Sequence, residues 1–451
     1  MFQSSLISLL TIILYIASLF GFGGGSQAQA PDVPRLEEPA PANSASGRFE
    51  LSTGVTVKVG DYVRVSGDVV NIRTGPGTSY PALTKAKRGQ AATVEDGSNG
   101  WLKLRFQDNL TGWVADWLVT PAEPGRIISP HVPAGLQTIG YYATSYPGDD
   151  SSLRSMAEAG STLTGVAPFL FTVDSYGNIF GDNDWQAMEQ AKKAGRTTLA
   201  LVHNVRGDWF NTQVAHNLLS KEVNRTRAIN QILDILKKYG YDGVNLDLEA
   251  VKPSDRNYLT SFVRELSWAL RPKGYLLTIS VPAKTWDDRN NSWSGAYDYK
   301  AIGEYADWVM IMAYDQHYKT GRPGPVAAID WVEQVVKYAI STIPREKIIL
   351  GVPTYGYDWP TNGNPGRSVS YAQAMKIARD NGIQPKWHPT YKVPYFSYVS
   401  GSMIREVWFE SSWSLEYKLD LVKKYGLKGI ALWRLGLEDP RTWEVIGAHL
   451  Y

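Results

Sequence analysis

The chain has 451 residues, with 46 Lys and Arg against 44 Asp and Glu, a net charge of +2 and no cysteine. That balance argues against a dedicated nucleic-acid binder, which concentrates basic residues; the missing cysteine excludes thiol nucleophiles, disulfides and Cys-ligated zinc or iron–sulfur clusters. A hydrophobic fraction of 43% suits two or three globular domains, and 16 Trp, 26 Tyr and 12 Phe leave two readings open, a large core or a groove that stacks flat apolar faces.

Residues 1–30 are expected to be a targeting segment. An uncharged apolar run from Leu6 to Phe22 precedes Ala28-Gln29-Ala30, a small-residue triplet of the kind signal peptidase cuts. Two fates stand open, cleavage or retention as a membrane anchor of about 18 residues. Either way the protein is expected to be exported, to the cell wall, spore surface or outside medium. Residues 31–53, rich in Pro, Ala, Ser and Glu without an apolar period, read as a flexible linker.

Residues 54–120 alternate as short strands: Val55, Val57 and Val59, then Val63 and Val65. Turn signals at Gly75-Pro76-Gly77, Asp96-Gly97 and Asn99-Gly100 predict a small all-β barrel. Val70-Asn71-Ile72-Arg73-Thr74-Gly75-Pro76-Gly77, Gly100-Trp101-Leu102-Lys103-Leu104 and Gly112-Trp113-Val114 resemble bacterial SH3-like domains. The resemblance implies a cell-wall-binding module or a spacer. Trp101 and Trp113 either contact a ligand or fill the barrel. Residues 121–134, with four prolines, read as a second linker.

From 135 to 451 apolar strand-like runs alternate with helical patterns. Candidate strands are 137–142, 163–171, 197–203, 243–248, 275–281, 308–314, 348–352 and 429–433; amphipathic helices include 225–239, 256–270 and 411–425. Eight buried strands with helical crossovers predict an α/β fold, a (β/α)8 TIM barrel, with a doubly wound open sheet as the rival. No Gly-rich phosphate loop follows a strand, against a nucleotide-binding version. Residues 359–408 are too many for a loop and predict a small α+β insertion with a hairpin at Ser400-Gly401-Ser402.

The chemistry concentrates in Asp242-Gly243-Val244-Asn245-Leu246-Asp247-Leu248-Glu249. On a strand, Val244, Leu246 and Leu248 face the helices, while Asn245, Asp247 and Glu249 face the barrel interior, spaced roughly 6.5–7 Å apart. Both faces of a parallel barrel are buried, and a fold gains little from unpaired buried carboxylates, so the row points to function. Burial and the Asp247 charge are expected to raise the pKa of Glu249, making it a proton donor, with Asp247 as the accompanying negative charge.

This octapeptide resembles the DGxDxDxE signature of glycoside hydrolase family 18, the chitinase family. Met312-Ala313-Tyr314-Asp315 is similar to its MxYD motif, Gly351-Val352-Pro353-Thr354-Tyr355-Gly356 to its seventh-strand pattern, and Trp433 stands where the family keeps a tryptophan under the reacting sugar. The resemblance covers most of 135–451. It implies a retaining, substrate-assisted hydrolase, an exception to the two-carboxylate scheme. In that scheme Glu249 is acid and then base, Asp247 orients the substrate's 2-acetamido group, and Tyr314 bonds its oxygen. Asn245, Asp315, Trp433, Tyr355 and Tyr357 are the implied substrate-binding residues, and Trp359 is placed near the groove.

The family's first inner aspartate is Asn245 here. Asn can still bond Asp247 but cannot take up its charge. With Gly356-Tyr357-Asp358-Trp359 and Val407-Trp408-Phe409-Glu410, this resembles the branch of spore-cortex and cell-wall N-acetylglucosaminidases. The expected partner is an N-acetylglucosamine-containing polysaccharide, peptidoglycan first and chitin second; a non-catalytic glycan-binding protein is the alternative of another class. Asp315 could instead be a structural bond, Trp433 mere core, and Tyr355 and Tyr357 could line the groove or pack under it. His203 and His317 lie near strand ends, where a plain polar role competes with substrate contact. No metal, cofactor or nucleic acid is expected, and the state expected is a monomer.

Overall fold

Eight parallel strands close on themselves in the C-terminal part of the chain. They are β1 (Gln137–Tyr142), β2 (Gly165–Val173), β3 (Thr197–His203), β4 (Gly243–Asp247), β5 (Leu276–Pro282), β6 (Trp308–Met312), β7 (Ile348–Pro353) and β8 (Gly429–Trp433). Each pairs with the next, and β8 pairs with β1, so the sheet is a closed barrel and not a doubly wound one. The structure is a computed structural model that describes residues 47–451 except 53, 89, 107–109, 122–132 and 208. The expected leader and most of both expected linkers lie outside the described residues.

Every residue of β1, β4, β5 and β7 is buried. Parallel strands covered on both faces need apolar side chains on both. Inward residues such as Ile139, Leu199, Leu201, Trp308 and Met310 fill the barrel. Val244, Leu246 and Leu248 pack outward with the helices, which fixes the opposite phase of β4 for the polar row. Helix Ser412–Tyr425 shows how the flanking elements are bounded: Ser411 and Ser414 form a reciprocal cap at its start. Gly426, at φ 63°, ends it in the left-handed conformation that a side chain resists.

An antiparallel sheet interrupts the connection between β7 and that helix. Its order is Arg367–Ser370, Tyr355–Pro360, Met403–Phe409, Val393–Ser400 and Lys386–His388, with helix Tyr371–Asp380 beside it. The fully buried carboxylate of Asp358 ties it together: Arg405 (2.7 Å), Arg367 (2.8 Å) and Tyr398 (2.8 Å) all converge on it.

The N-terminal part is a small seven-stranded antiparallel sheet with its own core of Val63, Val65, Ile72, Val94, Leu104 and Val114. Trp101 and Trp113 do not fill that core. They are half-buried on the opposite phase from Leu102, Leu104 and Val114, and Trp101 meets the exposed Trp117 edge-on at 6.1 Å.

Candidate active site

Strand β4 is clamped at its start, where the Asp242 carboxylate accepts the Thr198 N–H (2.8 Å) and hydroxyl (2.9 Å). This sets the β3–β4 register that ends with His203 opposite Asp247. Asn245, Asp247 and Glu249 then rise through the barrel with 0%, 4% and 8% exposure.

Asn245 does not bond Asp247. Its amide nitrogen donates to the Thr278 hydroxyl (3.0 Å) and meets the Met310 sulfur (3.2 Å), and its oxygen accepts from Ser280 (3.1 Å). Thr278 lies directly opposite Asn245 on β5, closer than the next inward residue of its own strand. Ser280 in turn shares a 2.9 Å bond with the Tyr141 phenol. With its amide committed and no exposed surface, Asn245 supports the site from below and is out of reach of a ligand.

Asp247 is left without help from beneath. Its Oδ1 is buried and has no hydrogen-bond partner among the described residues. Burial pushes its carboxyl up to about 7. Glu249 is raised well above the usual carboxylate range, first by burial and then by the Asp247 and Asp315 charges. At neutral pH the pair therefore divides its roles: Glu249 holds its proton while Asp247 is the group that ionises.

Tyr314 follows β6 and approaches the backbone of β7 at Gly351. A Cβ there would lie 3.1 Å from the Tyr314 ring and 2.5 Å from the Ile311 carbonyl, so glycine lets the ring in. Burial and the nearby Tyr141, Asp247 and Glu249 hold the phenol well above its ordinary value, so it stays a donor. Asp315, at φ 56°, is solvent-accessible, and its Oδ1 accepts from Tyr355 (2.5 Å) and Tyr357 (3.0 Å).

Those two phenol rings are 5% and 6% exposed, with their hydroxyls spent on Asp315, so they reach a ligand through that carboxylate. Trp359 is fully buried against Tyr357 (5.1 Å) and is core rather than groove. Trp433 is partly exposed. It meets Tyr141 (5.4 Å) and Phe169 (5.6 Å) edge-on and touches both the barrel interior and the insertion's aromatic cluster.

His203 stacks flat on Phe169 at 4.0 Å, accepts the Val205 N–H at Nδ1, and is lowered to about 4 by burial, so it is neutral with its proton on Nε2. His317 bonds the Pro325 carbonyl through Nδ1 (3.0 Å). Sequence reasoning missed Thr278, Ser280 and Asn204. The first two sit two apart in an otherwise apolar strand, the same alternation that exposed the β4 row. Asn204 acts on main chain and carries no such signal.

Comparison with known proteins agrees with this geometry. Residues 137–438 match the model of "Glycosyl hydrolases family 18", and residues 68–120 match "Bacterial SH3 domain". The chain is 31% identical to the cortical fragment-lytic enzyme of Bacillus subtilis over 295 residues, 64% of this chain and 68% of that protein. Among solved structures it resembles the spore cortex-lytic enzyme SleL of Bacillus megaterium (TM-score 0.65, 26% identity, covering 75% of this chain and 77% of that one). It also resembles a chitinase from Chromobacterium violaceum (TM-score 0.65, 29% identity, covering 70% and 99%).

Proposed function

The chain belongs to glycosyl hydrolase family 18, an enzyme family acting on N-acetylglucosamine-containing glycans, and on that premise we propose that it cleaves after N-acetylglucosamine in bacterial cell-wall or spore-cortex peptidoglycan, with retention. The observation that carries this reading is the buried pair Asp247 and Glu249, the Asp247 Oδ1 without a hydrogen-bond partner among the described residues, with the Tyr314 phenol beside them. Glu249 gives its proton to the glycosidic oxygen as the bond to the anomeric carbon breaks. The substrate's 2-acetamido oxygen forms the new bond to that carbon, giving a positively charged oxazolinium ion. Asp247 as carboxylate compensates that charge, and Tyr314 donates to the amide-derived oxygen. Glu249, now ionised, takes a proton from water as the water oxygen bonds the anomeric carbon and the bond from that carbon to the acetamido oxygen breaks, which restores the acetamido group and the Glu249 acid.

The two carboxyls set opposite limbs of the pH profile. Activity is lost below about pH 7 as Asp247 takes up a proton, and lost again at higher pH where Glu249 releases its own. The expected kcat/KM profile with an N-acetylglucosamine oligomer is a bell whose acid limb lies near neutrality. An acid limb near pH 4 means instead that Asp247 is already stabilised as a carboxylate in the free enzyme.

The N-terminal module matches bacterial SH3 domains, which supports attachment to the wall; export and a monomeric state belong to the same proposal. The names of the relatives, cortical fragment-lytic enzyme and SleL, support peptidoglycan as the substrate. Chitin is the second reading, favoured by Trp209, Trp286 and Trp293, exposed on the loops after β3 and β5, which offer faces for sugar stacking. Mass spectrometry of digests decides between them. Muropeptides ending in reducing N-acetylglucosamine are expected from purified peptidoglycan or spore cortex; cleavage confined to chitin oligomers overturns the choice.

A further inference from the structure

We infer that Asn204 is a positioning residue for Glu249, its side-chain amide taking the place of the peptide that β3 no longer supplies beside it. The β3–β4 ladder ends at the His203–Asp247 pair, two residues short of Glu249. Glu249 thus sits on a segment with no regular strand partner, and the next residue, Ala250, has φ 54°.

The Asn204 amide continues the ladder there. Its Oδ1 accepts the Glu249 N–H (2.9 Å) and its Nδ2 donates to the Glu249 carbonyl (2.9 Å). The same Nδ2 donates to the Asn211 carbonyl (3.1 Å), while the Asn204 carbonyl accepts the Asn211 N–H, so the amide is itself held in place. From the other side the Tyr297 phenol donates to the Leu248 carbonyl (2.7 Å).

Asn204 has no exposed surface, so it acts on the reaction only through Glu249. A planar amide with one donor edge and one acceptor is the side chain that can satisfy both groups of a neighbouring peptide. This aims the carboxyl at the glycosidic oxygen, and misplacement of a reacting group by about 1 Å can cost about 100-fold in rate.

The inference rests on the reading of Glu249 as the proton donor. Its test is kinetics of the full chain on peptidoglycan fragments or N-acetylglucosamine oligomers, whose leaving oxygen needs the Glu249 proton, with Glu249→Gln alongside. Asn204→Ala is expected to lower kcat by about 10–100-fold with KM within about threefold. Its alkaline limb moves to lower pH, because a loosened Glu249 gains solvent. Asn204→Asp keeps the acceptor, loses the donor and adds a charge, so its alkaline limb moves the opposite way.

Folding of both variants is read first, by thermal melts. If only one folds, that one carries the test. If neither folds, Asn204 serves the fold alone and the inference is overturned. It is also overturned if a folded variant keeps wild-type kcat and pH limbs while Glu249→Gln is inactive. An active Glu249→Gln instead overturns the reading of Glu249, whatever Asn204 does.

Discussion

Glu249→Gln is expected to lower kcat on peptidoglycan fragments or N-acetylglucosamine oligomers by about 10³–10⁴-fold, with KM changed little. The reason is specific to the position. Glu249 is protonated because it is buried beside Asp247 and Asp315, and Gln reproduces its volume and its hydrogen-bond donor but has no proton to give. The backbone bonds to Asn204 do not involve the altered atoms, so the fold is expected to persist. The defect is smaller on an aryl glycoside whose leaving group departs without protonation, because acid help in the first step is then unnecessary. A variant with wild-type turnover on natural glycan sinks the assignment. A wild-type chain that binds the glycan yet releases no reducing ends identifies a binding protein instead.

Sequence carried the barrel because its signals are local. The run 256–270 repeats at helical spacing and forms a helix over the same residues, Arg256–Leu270. The runs at 137–142, 197–203 and 429–433 are strands with those bounds, each with a central apolar stretch that suits a parallel strand buried on both faces. Asp247 and Glu249 were legible for the same reason, as carboxylates in phase on the inward side of a strand.

What sequence could not carry is choice among partners. Asn245 had Asp247 as an evident neighbour two residues away, yet the register of β5 brings Thr278 and Ser280 closer. Tyr355, Tyr357 and Trp359 share one strand, but only their packing with Val326, Val393 and Trp408 and the place of Asp315 decide that the first two bond Asp315 and the third is sealed. Asn204 acts through main-chain atoms, which every residue has, so its role becomes visible only in three dimensions.

Asp247→Asn is expected to do two opposite things, and the pair of effects is more diagnostic than either alone. Activity falls by about 10²–10³-fold at the wild-type optimum, because the oxazolinium ion loses its compensating carboxylate in a water-poor site. Stability rises. Asp247 has a carboxyl raised to about 7 in the folded chain against 3.8 for a free aspartate, with buried Oδ1 unbonded among the described residues.

Between those two values the folded state holds a proton that the unfolded chain has released, so wild-type stability falls as pH rises through that window. Above about pH 7 the whole penalty is present; below about pH 4 none of it is. Asn carries no charge and escapes the penalty, so Asp247→Asn is expected to melt a few degrees above wild type at pH 8 and with it at pH 4. The gain at pH 8 is on the order of a few kcal/mol. Paired melting curves at the two pH values make the comparison. Equal melting at pH 8 means that Asp247 is already stabilised as a carboxylate in the free enzyme, and the neutral acid limb falls with it.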